Sequence, residues 1–298
     1  MKNVVVVGGA GFIGSHLVDA LVQKGCDVLV VDNLSGGKRE NINPAAQFEI
    51  ADIRDAARLP GLLKRADTVF HLAALPRVQY SIEHPQETND VNVTGTLNVL
   101  EAARIAGAKK VVYSASSSAY GDQPVMPLVE TMPANPKSPY GLQKYIGELY
   151  CRVYSQVYGL STVSLRYFNV YGPRFNAEGA YALVIGKFLM QTKEGKPMTI
   201  TGDGTNTRDY THVNDVVRAN ILAAEQDVAG GEVFNIGAGQ EYSTNEVAKF
   251  IGTAIEYIPK RLEPKRTLAD NRKARDILGW QPQIMLPEGI EDLKKRYL

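Results

Sequence analysis

Apolar positions fall into short continuous runs that alternate with longer amphipathic stretches. Val4–Val7 is an unbroken β-branched run, the pattern of a central parallel strand covered on both faces. Helical spacing follows to about Gln23, and Asp27–Val31 reads as a second strand ending in Asp32. Further strands are expected at Phe48–Ile50, Thr68–Leu72, Lys110–Tyr113 and Thr162–Tyr167, with a long helix over about 86–106 and another opening at Pro139. Strand and helix in alternation predict an α/β fold, a Rossmann-type doubly wound parallel sheet. Residues 172–200 are richer in Gly, Pro and polar groups. Within them the pattern predicts a helix at about Tyr181 to Lys193, and beyond them helices at Asn214 to Glu225 and Thr244–Ile255 and a strand at Glu232–Ile236. The expected organisation is a first domain over 1–171, to which the chain returns around 205–236, and a smaller C-terminal α/β substrate domain over 172–298.

Composition narrows the classes. The 298 residues carry 33 basic and 32 acidic side chains, a net charge of +1 that gives no electrostatic case for nucleic acid or an anionic membrane. Cys26 and Cys151 stand far apart in no CxxC pattern, and histidines 16, 71, 84 and 212 lack metal-ligand spacing. No apolar run approaches a membrane span, and the run after Met1 stops at Gly8, short of a secretory core. A cytoplasmic protein without a metal is the expectation.

Candidate chemistry begins at the first turn. Gly8, Gly11 and Gly14 form a G-x-x-G-x-x-G turn between a strand and a helix, so backbone can approach a pyrophosphate and the helix N-terminus faces its charge. Asp32 ends the second strand eighteen residues beyond Gly14, placed to accept hydrogen bonds from ribose hydroxyls and to favour NAD over NADP. Lys38 and Arg39 nearby read as a solvated loop. Asp52, just past the third strand, could bind an adenine amino group or cap a helix; Asp55 reads as such a cap. Ala73 and Ala74 after the fourth strand leave room for a cofactor, His71 reads as a packed strand residue, and Arg77 faces substrate or solvent. Asn92, polar and mid-helix, is either a solvated position or a support for the cofactor region.

Ser138-Pro139-Tyr140-Gly141-Leu142-Gln143-Lys144 reads as a helix opening, with Ser138 as cap and Pro139 in the first turn. Tyr140 and Lys144 are four apart, on one helical face, and a nearby ammonium would favour the phenolate of a general base. The serines of Ser114–Gly121 sit where ligands of open parallel sheets bind, beyond a strand's carboxyl end. A hydroxyl there could relay a substrate proton to Tyr140. Further on, Gly202-Asp203-Gly204 leads to Arg208, whose planar fork suits a diphosphate.

Gly8–Gly14, Asp32-Asn33-Leu34, Asp52-Ile53, His71-Leu72-Ala73-Ala74, Ser114–Gly121, Tyr140–Lys144, Arg166–Arg174, Arg208-Asp209-Tyr210 and Leu278-Gly279-Trp280 together resemble the extended short-chain dehydrogenase/reductase superfamily. Within it the chain is similar to the UDP-glucose 4-epimerase-like members of the NAD-dependent epimerase/dehydratase family. The resemblance runs nearly end to end. It implies NAD held by Gly8, Gly11, Phe12, Ile13, Gly14, Asp32, Asn33, Asp52, Ile53, Leu72, Ala73, Ala74, Asn92, Ser114, Tyr140, Lys144 and Tyr167. It implies Tyr140 as base, Lys144 as its partner on the nicotinamide ribose, and Ser116 as the aligned hydroxyl, with Ser117 and Ser118 as second choices of register.

For a UDP-sugar substrate the resemblance implies Arg77, Ser116, Ser117, Tyr140, Asn169, Arg208, Arg261 and Thr267, with Lys260 replacing Arg261 if the register slips. Thr267 falls where the family tunes the pocket at the sugar 2-position, so N-acetylated sugars are expected to fit. The related 4,6-dehydratases carry Asp and Glu after the aligned Thr, and decarboxylases carry Glu at the second of those positions; here Ser117 and Ser118 stand there. The implied activity is interconversion of UDP-glucose and UDP-galactose by transient oxidation at C4, in a homodimer formed through the 86–106 and Tyr140 helices. Alternatives are another nucleotide-sugar enzyme of the same superfamily, a uronate-sugar epimerase, decarboxylase or dehydrogenase, with Arg77 and Arg174 for a carboxylate, and a non-catalytic dinucleotide sensor.

Overall fold

The computed structural model describes residues 1–175, 183–252, 254–259 and 264–298. The first strand, β1 (Asn3–Val7), leads through the glycine turn into α1 (Phe12–Gln23), then β2 (Asp27–Asp32), β3 (Gln47–Ile50), α2 (Leu59–Leu62) and β4 (Thr68–His71). After α3 (Val78–Glu83) come α4 (Pro85–Asn89), a π-helical turn at Asp90–Thr94 and α5 (Gly95–Ala106), which make one long helix. Next are β5 (Lys110–Ser116), α6 (Pro139–Tyr158), β6 (Ser161–Tyr167) and β7 (Val170–Tyr171). The remainder holds α7 (Val184–Lys193), β8 (Met198–Thr201), β9 (Thr207–Asp209), β10 (Thr211–His212), α8 (Val213–Glu225) and β11 (Glu232–Ile236). It closes with β12 (Glu241–Ser243), α9 (Thr244–Ile251), β13 (Ile255–Ile258), β14 (Arg266–Thr267), α10 (Arg272–Leu278) and α11 (Leu286–Tyr297).

Seven strands form one parallel sheet in the order β11-β6-β5-β4-β1-β2-β3. The valine run explains its centre. Val4 and Val6 enter one core with Leu17, Val18 and Leu21 of α1 and Val216 and Val217 of α8. Val5 and Val7 enter the other, with Val99 and Leu100 of α5 and Cys151 and Tyr154 of α6. Alternate side chains of one strand thus serve opposite layers, as a doubly wound sheet requires.

β11 belongs to this sheet although it follows β8–β10, and α10 and Trp280 also pack in the first core. Trp280 donates its Nε1–H to Asp215 O at 2.8 Å, which gives Leu278-Gly279-Trp280 a structural task. A separate core gathers Phe188 and Leu189 of α7, Ile200 of β8, Val247 and Ile251 of α9 and Leu293 of α11.

Several expected boundaries move. α9 stops at Ile251, because Ile255 begins a strand paired with Met198 of β8, so the helix does not reach Ile255. The helix expected from Tyr181 is described from Val184. Asp55 caps a turn, accepting from Arg58 N at 3.3 Å, and the helix begins only at Leu59. β5 runs on to Ser116, so Ser114 and Ser116 are strand residues with ladder partners on β6.

Candidate active site

The glycine turn is shaped by what surrounds it. Gly8 has φ 88°, and a Cβ there would lie 2.4 Å from Ala73 N. A Cβ on Gly14 would lie 2.1 Å from Gly8 O. At Gly11 it would meet Gly8 O alone, at 3.4 Å, so that side of the turn is open to a ligand. Gly11 also opens α1 with no side-chain cap, which leaves the first-turn N–H groups around Phe12, Ile13 and Gly14 facing outward, as anion binding requires. This cradle fits a dinucleotide pyrophosphate.

Asp32, buried at the end of β2, accepts from Ala10 N at 3.0 Å and Leu34 N at 2.8 Å. Burial pushes its carboxyl up and these two N–H groups oppose that. Each oxygen keeps a second lone pair for a ribose hydroxyl. Asn33 donates to Asp52 Oδ2 at 2.9 Å, and Arg54 grips the same carboxylate through Nε at 2.9 Å and Nη2 at 2.7 Å. The Arg54 bonds hold Asp52 well below the usual carboxylate range, so this acid is tied into a local cluster. Ile53 is buried in the second core, against Gly95. Leu72 N and Ala73 N both donate to Val7 O, at 2.8 and 2.9 Å, and with half-buried Ala74 they carry backbone along the cradle's flank. His71 is fully buried against Thr96, with Nε2 and Oγ1 3.0 Å apart.

Of the three serines, Ser116 is the buried one. Ser116, 8% exposed, accepts from Ser118 N at 3.2 Å, and its hydroxyl acts on the Tyr140 phenol, opposing the rise that burial causes. Ser117 opens a 3-10 turn, Ser117–Ala119. Ser138 caps α6 by accepting from Gly141 N at 3.1 Å, with Pro139 in the first turn. Tyr140 N donates to Ser81 Oγ at 3.0 Å, a link from α3 that sequence reasoning missed, since nothing local to Ser81 marks it. Lys144 is buried, its ammonium 4.7 Å from the centre of the Tyr113 ring. Burial lowers Lys144 to about 8.

One electrostatic expectation is corrected. Burial pushes the Tyr140 phenol up and the Ser116 hydrogen bond opposes it, for a net rise. Desolvation of a would-be phenolate outweighs the lowering expected from Lys144, whose charge faces Tyr113.

Asn92 is neither solvated nor free. It lies in the π-helical turn, 1% exposed, accepts from Leu75 N at 2.8 Å, and donates to Leu75 O at 3.1 Å and Gln143 Oε1 at 2.9 Å. These bonds hold the loop after β4 against α6. The π-turn that aims the side chain inward is a feature common at functional sites.

On the far side, Tyr167 ends β6 with its hydroxyl donating to Asn220 Oδ1 at 2.9 Å. Asn169 has φ 27° and donates to Asp209 O at 2.9 Å and Thr267 Oγ1 at 3.3 Å, so it shapes a turn and also joins the end of β6 to β9 and β14. Arg208 sits on β9 directly opposite Thr267 of β14 and Tyr242 of β12. Asp209, fully buried, accepts from Ala238 N at 2.7 Å, Gly239 N at 2.9 Å and Ala269 N at 3.0 Å, a clasp that sequence reasoning also missed. Arg77 heads α3, and its carbonyl accepts from Ser81 N at 3.0 Å. Arg174 pairs with Asp19 of α1 at 2.7 Å. Arg261 and Lys260 lie outside the described residues.

Comparison with known proteins adds independent findings. Residues 4–237 match the model of the NAD dependent epimerase/dehydratase family. The UDP-glucose 4-epimerase of Mycolicibacterium smegmatis is 43% identical over 96% of this chain and 95% of its own. The crystal structure of a Thermotoga maritima UDP-glucose 4-epimerase with UDP-glucose superposes with a TM-score of 0.95 at 41% identity, covering 99% of this chain and 98% of that one. A Thermus thermophilus UDP-glucose 4-epimerase in complex with NAD gives 0.93 at 37% identity, with 99% of both chains covered.

Proposed function

The chain belongs to the NAD dependent epimerase/dehydratase family, and on that premise we propose that it is a UDP-glucose 4-epimerase, interconverting UDP-glucose and UDP-galactose. The observation that carries the reading is the buried Ser116 at the carboxyl end of β5, its hydroxyl acting on the Tyr140 phenol, with no acid at Ser117 or Ser118. Dehydration of a sugar needs an acid to protonate the leaving hydroxyl, and two serine alcohols supply none.

In this reading the glycine turn and Asp32 hold NAD, and Lys144 serves its nicotinamide ribose. Bound NAD supplies the acceptor and donor of the C4 hydride. Tyr140 takes the proton of the C4 hydroxyl, which Ser116 orients. To act as that base the phenol must first give up its own proton to solvent, a loss that burial opposes. Arg208 and Asn169 would retain the diphosphate while the 4-keto sugar turns to present its opposite face; C4 then takes the hydride back on that face and Tyr140 returns the proton to the C4 oxygen. Because oxidation and reduction cancel, no net NADH forms.

The test incubates pure protein with UDP-galactose, without added NAD, and follows products by NMR and absorbance. UDP-glucose should appear with no net NADH; accumulation of NADH, or no interconversion, overturns the reading. Tyr140→Phe should lower kcat by roughly 100- to 10,000-fold.

Two further expectations attach to this reading. Leu142, Leu149, Val153 and Val157 leave an exposed apolar stripe along α6, and exposed Ile105 of α5 adds to the apolar surface, which supports a homodimer. Val153→Glu should then yield monomers in light scattering. No helix among the described residues is long and apolar enough to cross a membrane, and Cys26 and Cys151 are free thiols, as a cytoplasmic setting favours.

A further inference from the structure

Burial and pairing single out Glu148. It lies one helical turn beyond Lys144, so the two side chains share a face of α6, and they are 1% and 3% exposed. Arg166 of β6 holds the Glu148 carboxylate through two parallel bonds, Nε to Oε1 at 2.9 Å and Nη2 to Oε2 at 2.7 Å. The guanidinium lies over the Tyr120 ring, 4.5 Å from its centre, and Tyr120 donates to Asn235 Oδ1 at 2.7 Å. Asn235 is itself fixed by donating to Leu128 O at 2.9 Å and Asp270 O at 3.2 Å. The pair is clamped from several elements and cannot swing.

Stability is a weak explanation for such a pair, since apolar residues of similar volume commonly serve as well in a core. We infer that Glu148 is a positioning residue for Lys144: its carboxylate, anchored by Arg166, keeps the buried lysine side chain in the ammonium form that the Tyr140 site requires. This rests on the assignment of Lys144 as the cation serving that site.

The surroundings of Lys144 support this. His71 of β4 is pushed down to about 3 by burial and is neutral. Tyr113 of β5 is raised well above its ordinary value by burial, Cys151 of α6 is pushed up to about 12, and Tyr140 is also raised, so none of them is charged near neutral pH. Burial lowers Lys144, and Cys151 and Glu148 oppose that; of the two, Glu148 is the charged one. Burial pushes Glu148 up, and the bonds from Arg166, which keeps its proton, hold it as the ionised acceptor.

The test measures the Lys144 titration directly in the full-length, NAD-loaded protein, by NMR of 13C at lysine Cε, with the Lys144 signal assigned through its loss in Lys144→Met. Removing the carboxylate removes what favours the ammonium. Glu148→Gln should therefore lower the Lys144 midpoint by about one pH unit, and should move the alkaline limb of kcat for UDP-galactose down with it. Glu148→Asp should return the midpoint toward wild type. Should the unpaired Arg166 prevent folding, Glu148→Gln with Arg166→Gln replaces the ion pair by two amides and should still lower the midpoint. An unchanged Lys144 midpoint in any folded variant lacking the carboxylate overturns the inference, whatever happens to activity. The midpoint needs no turnover, so absence of epimerisation by the wild type is a separate failure, that of the proposed reaction.

Discussion

The glycine turn of residues 8–14 and the small sheet of β12, β9 and β14 both border the site, and they are built in opposite ways. The turn is one stretch of consecutive residues whose backbone atoms press on each other and on Ala73. The small sheet assembles three short strands, 207–209, 241–243 and 266–267, from distant parts of the chain. It is tied to β6 and to the loop after β11 by the side chains of Asn169 and Asp209. The first region can be changed only by moving backbone. The second depends on a few polar side chains and should respond gradually.

The largest effect is expected in the turn. Gly14→Ala places a Cβ against Gly8 O, 2.1 Å away, where backbone must shift. It should cost about 3 kcal/mol and abolish turnover together with NAD retention, as read by urea melts and cofactor content. Asp209→Asn comes next. It turns one acceptor oxygen into a donor facing backbone N–H groups, with a cost of about 1–2 kcal/mol. KM for UDP-galactose should rise about tenfold, equivalent to about 1.4 kcal/mol, while NAD content stays unchanged. Loss of NAD from this variant would dissolve the contrast between the regions. The smallest effect is Thr267→Tyr. Thr267 is small, buried and tied to Asn169, so we propose that the pocket admits an N-acetyl group. The tyrosine should remove UDP-GlcNAc turnover and leave UDP-galactose turnover within a few-fold. Wild-type protein that converts UDP-galactose but never UDP-GlcNAc would end this proposal.

The same contrast decides what was legible in the sequence. Val4–Val7, the glycine turn, Asp32 and the Ser138–Lys144 helix opening announce themselves because their physics is local: burial on both faces, tight turns, a cap, a helical period. Ser116 could be narrowed to a triple serine, but its partner lies on another element, so choosing among the three required the fold. Asp209 and Glu148 were opaque for a related reason, and Asn92 could be read only as either solvated or supporting. Their partners stand 29, 18 and 17 positions away, and a buried polar side chain looks in sequence like any solvated one. The stop of α9 at Ile251 is another case, since pairing of Ile255 with Met198 overrides a local helical pattern. The direction of the Tyr140 shift was also hidden, because spacing reports neighbours along a helix but not how much water has been removed.

β11 carries a consequence of its own. It seals the flank of β6, yet it is contributed only after the chain has left to form β8–β10. A gene fragment encoding residues 1–171, cut where the composition changes, would strip that seal and leave the hydrogen-bonding groups of Ser161–Tyr167 as an open template for strand addition. Such a fragment should collect in inclusion bodies. The dinucleotide-binding portion is therefore not a portable module in this chain; it matures only once the ribosome has delivered the strand that closes it.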